Sequence, residues 1–197
     1  TVSYAGTTYA LPAPFFVLAT QNPIEQEGTF PLPEAQLDRF LMHVRIGYPD
    51  QTAESEILRL ARERARGALG EAAAAPQKLP MQDVFDARRE VLDLHMAPAL
   101  ERYLIELVLA SRDPSRYDAG LGRRIAWGAS PRGSIALERC ARARAWLGGR
   151  DFVTPDDVRA VAADVLRHRV LPSYEATAEG WDGERLVQEL LARVPAP

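Results

Sequence analysis

Two apolar runs bracket the stretch Phe15–Pro49, and they constrain the fold more than any other feature of the chain. The first, Phe15-Phe16-Val17-Leu18-Ala19, is continuous; the second, Phe40-Leu41-Met42-His43-Val44-Arg45-Ile46, alternates. A short continuous apolar run bounded by a polar turn has the pattern of a buried strand in a parallel sheet, covered on both faces. The alternating run reads as the next strand. Between them lie Thr20-Gln21-Asn22-Pro23, an acidic loop with Glu25, Glu27 and Gly28, and a helical turn at Pro33–Asp38 with proline at its first position. In open α/β sheets the residues just past a strand's carboxyl end face the ligand crevice. That places Asn22 where a nucleotide or substrate would sit, and Arg39 at the end of the turn, before the second strand.

The residues on either side fit a small α/β piece followed by helices. Val2–Leu11 alternates loosely around Ala5-Gly6 and reads as a β-hairpin. Asp50 or Thr52 caps a helix with the stripe Ile57, Leu58, Leu60. Glu71–Pro80, rich in alanine and holding Pro76 and Pro80, reads as a connector. From Met81 onward the periodicity is helical. Leu100, Tyr103, Leu104, Leu107 and Val108 follow Pro98 at helical spacing, and Arg112–Ala129 reads as a glycine-rich loop. Ser130-Pro131 and Thr154-Pro155-Asp156-Asp157 are helix starts, the second with a capping box at Asp157. A last helix is expected at about Glu184–Arg193. The expected division is 1–49, 50–80 and 81–197.

Composition excludes more than it selects. The chain has 197 residues, enough to bury a core in one or two domains. A net charge of −3 gives no general reason to expect nucleic acid. The single cysteine, Cys140, rules out an internal disulfide framework and reads as a buried thiol. No apolar run approaches the roughly 18 residues of a membrane span, and no signal peptide opens the chain, so the cytoplasm is the expected compartment. His43, His95 and His168 lack metal-ligand spacing, and no metal site is expected. Six arginines between Arg123 and Arg144 face only Glu138 in sequence; without interleaved aromatics they read as a solvated helix face rather than a nucleic-acid surface.

Ala19-Thr20-Gln21-Asn22-Pro23, then Glu27–Leu41 (EGTFPLPEAQLDRFL), then Gly47-Tyr48-Pro49-Asp50 closely resemble the MoxR family of AAA+ ATPases. The resemblance continues at Gly128-Ala129-Ser130-Pro131-Arg132-Gly133-Ser134 and at Gly149–Val158, and spans nearly the whole chain. It implies a fold: the carboxyl-terminal portion of an AAA+ P-loop core, with a hairpin and two core strands, followed by an all-α lid domain. It implies that Asn22 is the sensor-1 residue, Arg39 the arginine finger, and Arg132 the nucleotide-binding sensor-2 arginine. ATP and Mg2+ are the implied cofactors. The implied assembly is a homo-oligomeric, hexameric ring that remodels or matures protein clients, among them ones with von Willebrand factor A domains.

The residue types suit that chemistry. A strand-end amide both donates and accepts, so Asn22 can orient an attacking water without adding charge. A guanidinium keeps its charge and grips phosphate oxygens with two parallel hydrogen bonds, as Arg39 would on a neighbouring subunit's nucleotide. Arg132 sits in the first turn of a helix, where backbone N–H groups already favour an anion. Two parts of such a site are not in the sequence. A P-loop needs G-x-x-x-x-G-K-[ST], and the only lysine, Lys78, lies in Pro76-Gln77-Lys78-Leu79-Pro80. An acidic Walker-B strand is absent too. The chain alone is therefore expected not to hydrolyse ATP. The alternative is a non-enzymatic module that docks onto intact rings of the family and donates or withholds Arg39.

Overall fold

The structure, a computed structural model, describes residues 1–21, 32–66 and 78–197. It divides into two units, Thr1–Leu32 and Pro33–Pro197.

In the first unit, β1 (Val2–Tyr4) and β2 (Thr7–Tyr9) pair antiparallel, with Val2 opposite Tyr9 and Tyr4 opposite Thr7. The two-residue turn between them has φ +48° at Ala5 and +79° at Gly6. A tight hairpin whose turn matches the strand twist needs positive φ at both positions, and glycine supplies the second without strain. Phe15–Thr20, expected as a core strand, carries no ladder. Among the described residues no strand lies beside it, and a strand of a parallel sheet exists only through its neighbours. Asn22 and the acidic loop with Glu25, Glu27 and Gly28 lie outside the described residues.

The second unit is helical. The turn α1 (Glu34–Leu37) follows Pro33. The segment after it, Phe40–Ile46, also differs from the expected core strand: His43 N donates to Asp164 O at 2.8 Å, not to a strand. Asp50 caps α2 (Gln51–Ala65), accepting from Ala53 N at 2.8 Å. The stripe Ile57, Leu58 and Leu60 on α2 is exposed. Of the expected connector, residues 71–77 lie outside the described residues. Then come α3 (Met81–Asp93) and α4 (Pro98–Arg112), whose Leu100, Leu104, Leu107 and Val108 enter the core at the predicted spacing.

Arg112–Ala129, read as a loop, is structured. It holds a 3-10 turn at Pro114–Arg116, α5 (Ala119–Arg124) capped by Asp118, and β3 (Ile125–Trp127). Its glycines are packing sites rather than breakers. A Cβ at Gly122 would lie 2.1 Å from Ser115 Oγ, and one at Gly128 would lie 2.4 Å from Ser111 O. The long helices α6 (Pro131–Leu147) and α7 (Pro155–Leu166) pack on each other, burying Leu137, Cys140, Val158 and Val165. Next, β4 (Leu171–Pro172) pairs with β3, and α8 (Tyr174–Ala178) and α9 (Gly183–Arg193) finish the unit. On α9, Leu186, Val187 and Leu190 close the core. No described helix is long and apolar enough to cross a membrane.

Candidate functional site

Three structural devices aim one helix start. Ser111, fully buried at the end of α4, donates from Oγ to Val108 O (2.6 Å) and accepts from Ala129 N (2.9 Å). Its neighbour Arg112 donates from Nε to Ala129 O at 2.7 Å. The loop before α6 is thereby fixed to α4, and the bare Gly128 lets the two backbones touch. Ser130 then caps α6, its Oγ accepting from Arg132 N at 3.2 Å. The third device is Gly133. A Cβ there would lie 3.1 Å from Ala129 Cβ, 3.3 Å from Leu166 Cδ2 and 3.6 Å from Arg169 Cδ, so its absence lets the end of α7 close on the first turn of α6. Gly133, a weak helix former, is there for packing.

The start of α7 is anchored as the sequence predicts. Asp157, buried at the third helical position, accepts from Thr154 N (2.9 Å) and Thr154 Oγ1 (2.8 Å). It also takes two hydrogen bonds of 2.6 Å from Arg150, with Arg144 3.6 Å away. The Arg150 hydrogen bonds, with Thr154 assisting against the cost of burial, hold its carboxyl down at about 2. Arg144 and Arg150 therefore answer to an acid on another helix, and Arg124 lies 3.6 Å from Glu179. Arg124 and Arg144 thus meet acids distant in sequence, while Arg142 pairs with Glu138 on its own helix at 3.0 Å.

Past the end of α7 runs Arg167-His168-Arg169, and this run meets the turn that carries Arg39. Arg169 donates from Nε to Asp38 Oδ1 (3.1 Å), from Nη2 to Asp38 O (3.1 Å) and to Phe40 O, and from Nη1 to Leu41 O (3.3 Å) and Val165 O. Its side chain is 2% exposed. Burial lowers the affinity of that guanidinium for its proton, and the Asp38 carboxylate works against the shift. Asp38 also accepts from Ser130 Oγ (2.8 Å to Oδ2) and from Arg132 Nη1 (3.2 Å). Burial would raise its pKa, but the hydrogen bonds from Ser130, Arg132 and Arg169 outweigh it and hold the carboxyl below its ordinary range. His168 Nε2 stands 3.3 Å from Phe40 O, and His43 meets its ring edge-on at 6.0 Å. Burial, with Arg169 beside it, pushes His168 down to about 4, so it is neutral at pH 7.

Of the three residues the sequence singled out, Asn22 lies outside the described residues. Arg39 is exposed, one residue from Asp38. Arg132 sits at the start of α6 with its side chain 55% exposed and held by Asp38. The structure thus gathers the Arg39 turn and Arg132 around one carboxylate. The sequence pattern singled out neither Asp38 nor Arg169. The available signal was the dense Arg-His-Arg run after a helix, which can reach carbonyls that a helix-like turn leaves without partners. Chemically, the site offers two arginines of opposite character: Arg169 enclosed and saturated, Arg132 half in solvent at the N-terminus of a 17-residue helix. Such a terminus suits a phosphate. Among the described residues no group of three or more His, Cys, Asp or Glu could hold a metal ion.

Residues 1–42 match the family model described as ATPase family associated with various cellular activities (AAA), and residues 121–190 match the AAA lid domain. The chain is 40% identical over 196 residues to the uncharacterized protein YeaC of Bacillus subtilis, covering all of this chain and 57% of that one. It is 38% identical over 198 residues to the chaperone MoxR1 of Mycobacterium tuberculosis, covering all of this chain and 50% of the relative. A solved structure from Cytophaga hutchinsonii, described as an inferred ATPase, superposes with a TM-score of 0.89 at 40% identity, over all of this chain and 58% of that one. The chain thus spans about half the length of the curated relatives it matches. With two family models matching in order along it, relatives at this identity over its whole length, and a fold that superposes on the Cytophaga hutchinsonii structure, the chain belongs to the MoxR family of AAA+ ATPases and comprises the carboxyl-terminal part of the ATPase core with its helical lid.

Proposed function

We propose that this chain supplies the sensing and trans-acting residues of a ring that hydrolyses ATP to remodel or mature protein clients. Arg39 acts as the arginine finger, reaching the γ-phosphate bound by the neighbouring subunit. Arg132 binds the nucleotide and reports its presence to the lid. Asn22 orients the attacking water. The observation that carries the reading is the arrangement at Asp38: an exposed Arg39 beside a carboxylate already taken by other donors, with the half-exposed Arg132 at a helix N-terminus next to it. A guanidinium with an engaged neighbour and open solvent in front is available to an anion from outside. Mg2+ would accompany the nucleotide and neutralise phosphate charge, held by groups other than the described residues of this chain. The assembly is a homo-oligomer, a hexamer by the family's pattern, in the cytoplasm, and proteins with von Willebrand factor A domains are candidate clients.

The test is ATP turnover by the protein as expressed from its gene, set against this chain alone. Arg39→Ala is expected to lower kcat about 10³-fold or more while nucleotide still binds. Arg132→Ala is expected to weaken nucleotide binding, and Asn22→Ala to lower kcat. The isolated chain is expected to show no turnover, because its one lysine is not in a phosphate-binding loop. Magnesium-dependent turnover by the isolated chain that survives both Arg39→Ala and Asn22→Ala would sink the reading. If the gene product turns nothing over but binds intact rings of the family and changes their rate through Arg39, the docking-module alternative takes its place.

A further inference from the structure

Arg169 spends almost all of its hydrogen-bonding capacity on the segment that bears Arg39. Its Nη2 group holds the carbonyls of Asp38 and Phe40, the residues on either side of Arg39. Its Nη1 reaches Leu41 O, and its Nε reaches the Asp38 carboxylate. Only the contact with Val165 O goes back to α7. The turn's own hydrogen bonds end here, with Arg39 N donating to Gln36 O (3.1 Å) and Phe40 N to Leu37 O (3.0 Å). The carbonyls that follow have no backbone donor, and among side chains Arg169 is joined only by His168 Nε2, 3.3 Å from Phe40 O. A planar guanidinium with five fixed donors can satisfy three carbonyls and a carboxylate at once; an ammonium cannot. Arg169 holds the peptide plane just before Arg39 through Asp38 O, the turn's own Phe40 N–Leu37 O bond holds the plane just after it, and Arg169 holds the next one through Phe40 O, so the Cα position of Arg39 and the direction of its Cα–Cβ bond are fixed.

We propose that Arg169 is a positioning residue for Arg39, fastening the finger turn to the lid and, through the shared Asp38 carboxylate, linking Arg132 to the Arg39 of the same subunit. The proposal rests on the reading of Arg39 and Arg132 given above. Its consequence is directional. A change in what Arg132 contacts alters the load on Asp38, and Arg169 passes that change to the backbone carrying Arg39. A finger that reaches into a neighbour's site therefore moves with the lid of its own subunit.

The test uses the assembled gene product, with three measurements: ATP turnover, affinity for a fluorescent ATP analogue, and hydrogen–deuterium exchange of residues 38–43. Arg39→Ala alone reports on the functional reading. Arg169→Met, which keeps the volume of the stem without the donors, is expected to lower kcat about 10²-fold, the scale of a 1 Å misplacement, with analogue affinity unchanged. The Arg39→Ala/Arg169→Met double variant is expected to be no slower than Arg39→Ala, because Arg169 has nothing left to position. Arg169→Lys, which keeps the charge but not the fork, is expected to fall between and to exchange faster across residues 38–43; where the Met variant does not fold, it carries the same comparisons. A double variant whose loss is the product of the two single losses overturns the proposal, as does an Arg169→Lys protein matching the wild type in turnover and exchange. If Arg39→Ala is slow while Arg169→Met is not, the positioning role alone fails. If Arg39→Ala turns over normally, the finger assignment fails and takes the positioning role with it.

Discussion

Replacing Asp157 by Asn should cost the lid about 2.5 kcal/mol at neutral pH and almost nothing near pH 2. The carboxyl is 2% exposed and receives two 2.6 Å hydrogen bonds from Arg150 together with both Thr154 donors. Arg150 first, then Thr154, hold its pKa at about 2 against an ordinary 3.8. At 1.36 kcal/mol per pH unit that gap is the ~2.5 kcal/mol quoted. The folded pKa is depressed, so the stabilisation is present above the unfolded pKa and is lost as pH falls through the folded one, between about pH 5 and pH 1. Asparagine keeps an oxygen for Thr154 N, so the cap survives and the difference isolates the charge. Urea unfolding of the two proteins, followed by circular dichroism from pH 7 to pH 3, measures it. The free-energy gap should be near 2.5 kcal/mol at pH 7, equivalent to roughly 5–10 °C in Tm for a unit of this size, and should narrow below about pH 5. A gap of equal size at pH 7 and pH 3, or one under about 0.5 kcal/mol as at an ordinary surface site, would refute the reasoning.

Three further outcomes follow from the same geometry. His168, held near pKa 4 by burial, binds its proton more readily unfolded; the fold should lose up to ~3 kcal/mol as pH falls from about 6.5 to 4, and His168→Leu should flatten that limb in urea titrations at pH 7 and pH 4.5. Asp38→Ala strands the enclosed Arg169 and should destabilise by about 3 kcal/mol, whereas Asp38→Asn, which keeps an oxygen for Arg169 Nε, should lose less in thermal unfolding. Gly183→Ala would set a Cβ 2.1 Å from Arg167 O and 2.8 Å from Val170 O; backbone cannot yield as a side chain can, so a loss of about 1–3 kcal/mol is expected, read as a lowered Tm.

What the sequence made legible was local. Helix starts at Asp50, Pro98, Ser130 and Thr154 were readable because a cap or a proline acts within one turn of itself. The core stripe on α4 was readable because burial repeats at helical spacing. The hairpin was readable from Ala5-Gly6. The rest depends on residues far apart. The pairing of β3 with β4 joins Ile125 to Pro172, so neither short strand shows in its own neighbourhood, and glycines packed against Ser111 and Ser115 passed for breakers. Phe15–Thr20 and Phe40–Ile46 have the composition of strands, but a ladder needs neighbours that the described residues do not include. Near Asp38, the position of Arg132 in the first turn of α6 was readable from the Ser130-Pro131 helix start. Asp38 as a hub and Arg169 as a clamp were not, because their link spans from one end of the unit to the other.

The unequal exposure of the two ion pairs at Asp38 decides which of them can exchange. Asp38 and Arg132 meet at 3.2 Å with side chains 18% and 55% exposed, and Asp38 and Arg169 at 3.1 Å with Arg169 2% exposed. A pair half in solvent is worth about 0–1 kcal/mol, so a phosphate can draw Arg132 away at little cost. Breaking the enclosed pair would leave a cation without its counter-charge, at about 3–5 kcal/mol. One carboxylate faced by two guanidiniums also leaves the cluster a positive charge in excess, which favours an incoming anion. On the proposed reading of the site, Arg132 is the contact that would answer to nucleotide and Arg169 the one that would stay, so the turn carrying Arg39 would remain attached to the lid in both states. If the exposures were reversed, nucleotide would release the finger from the lid instead of moving the two together.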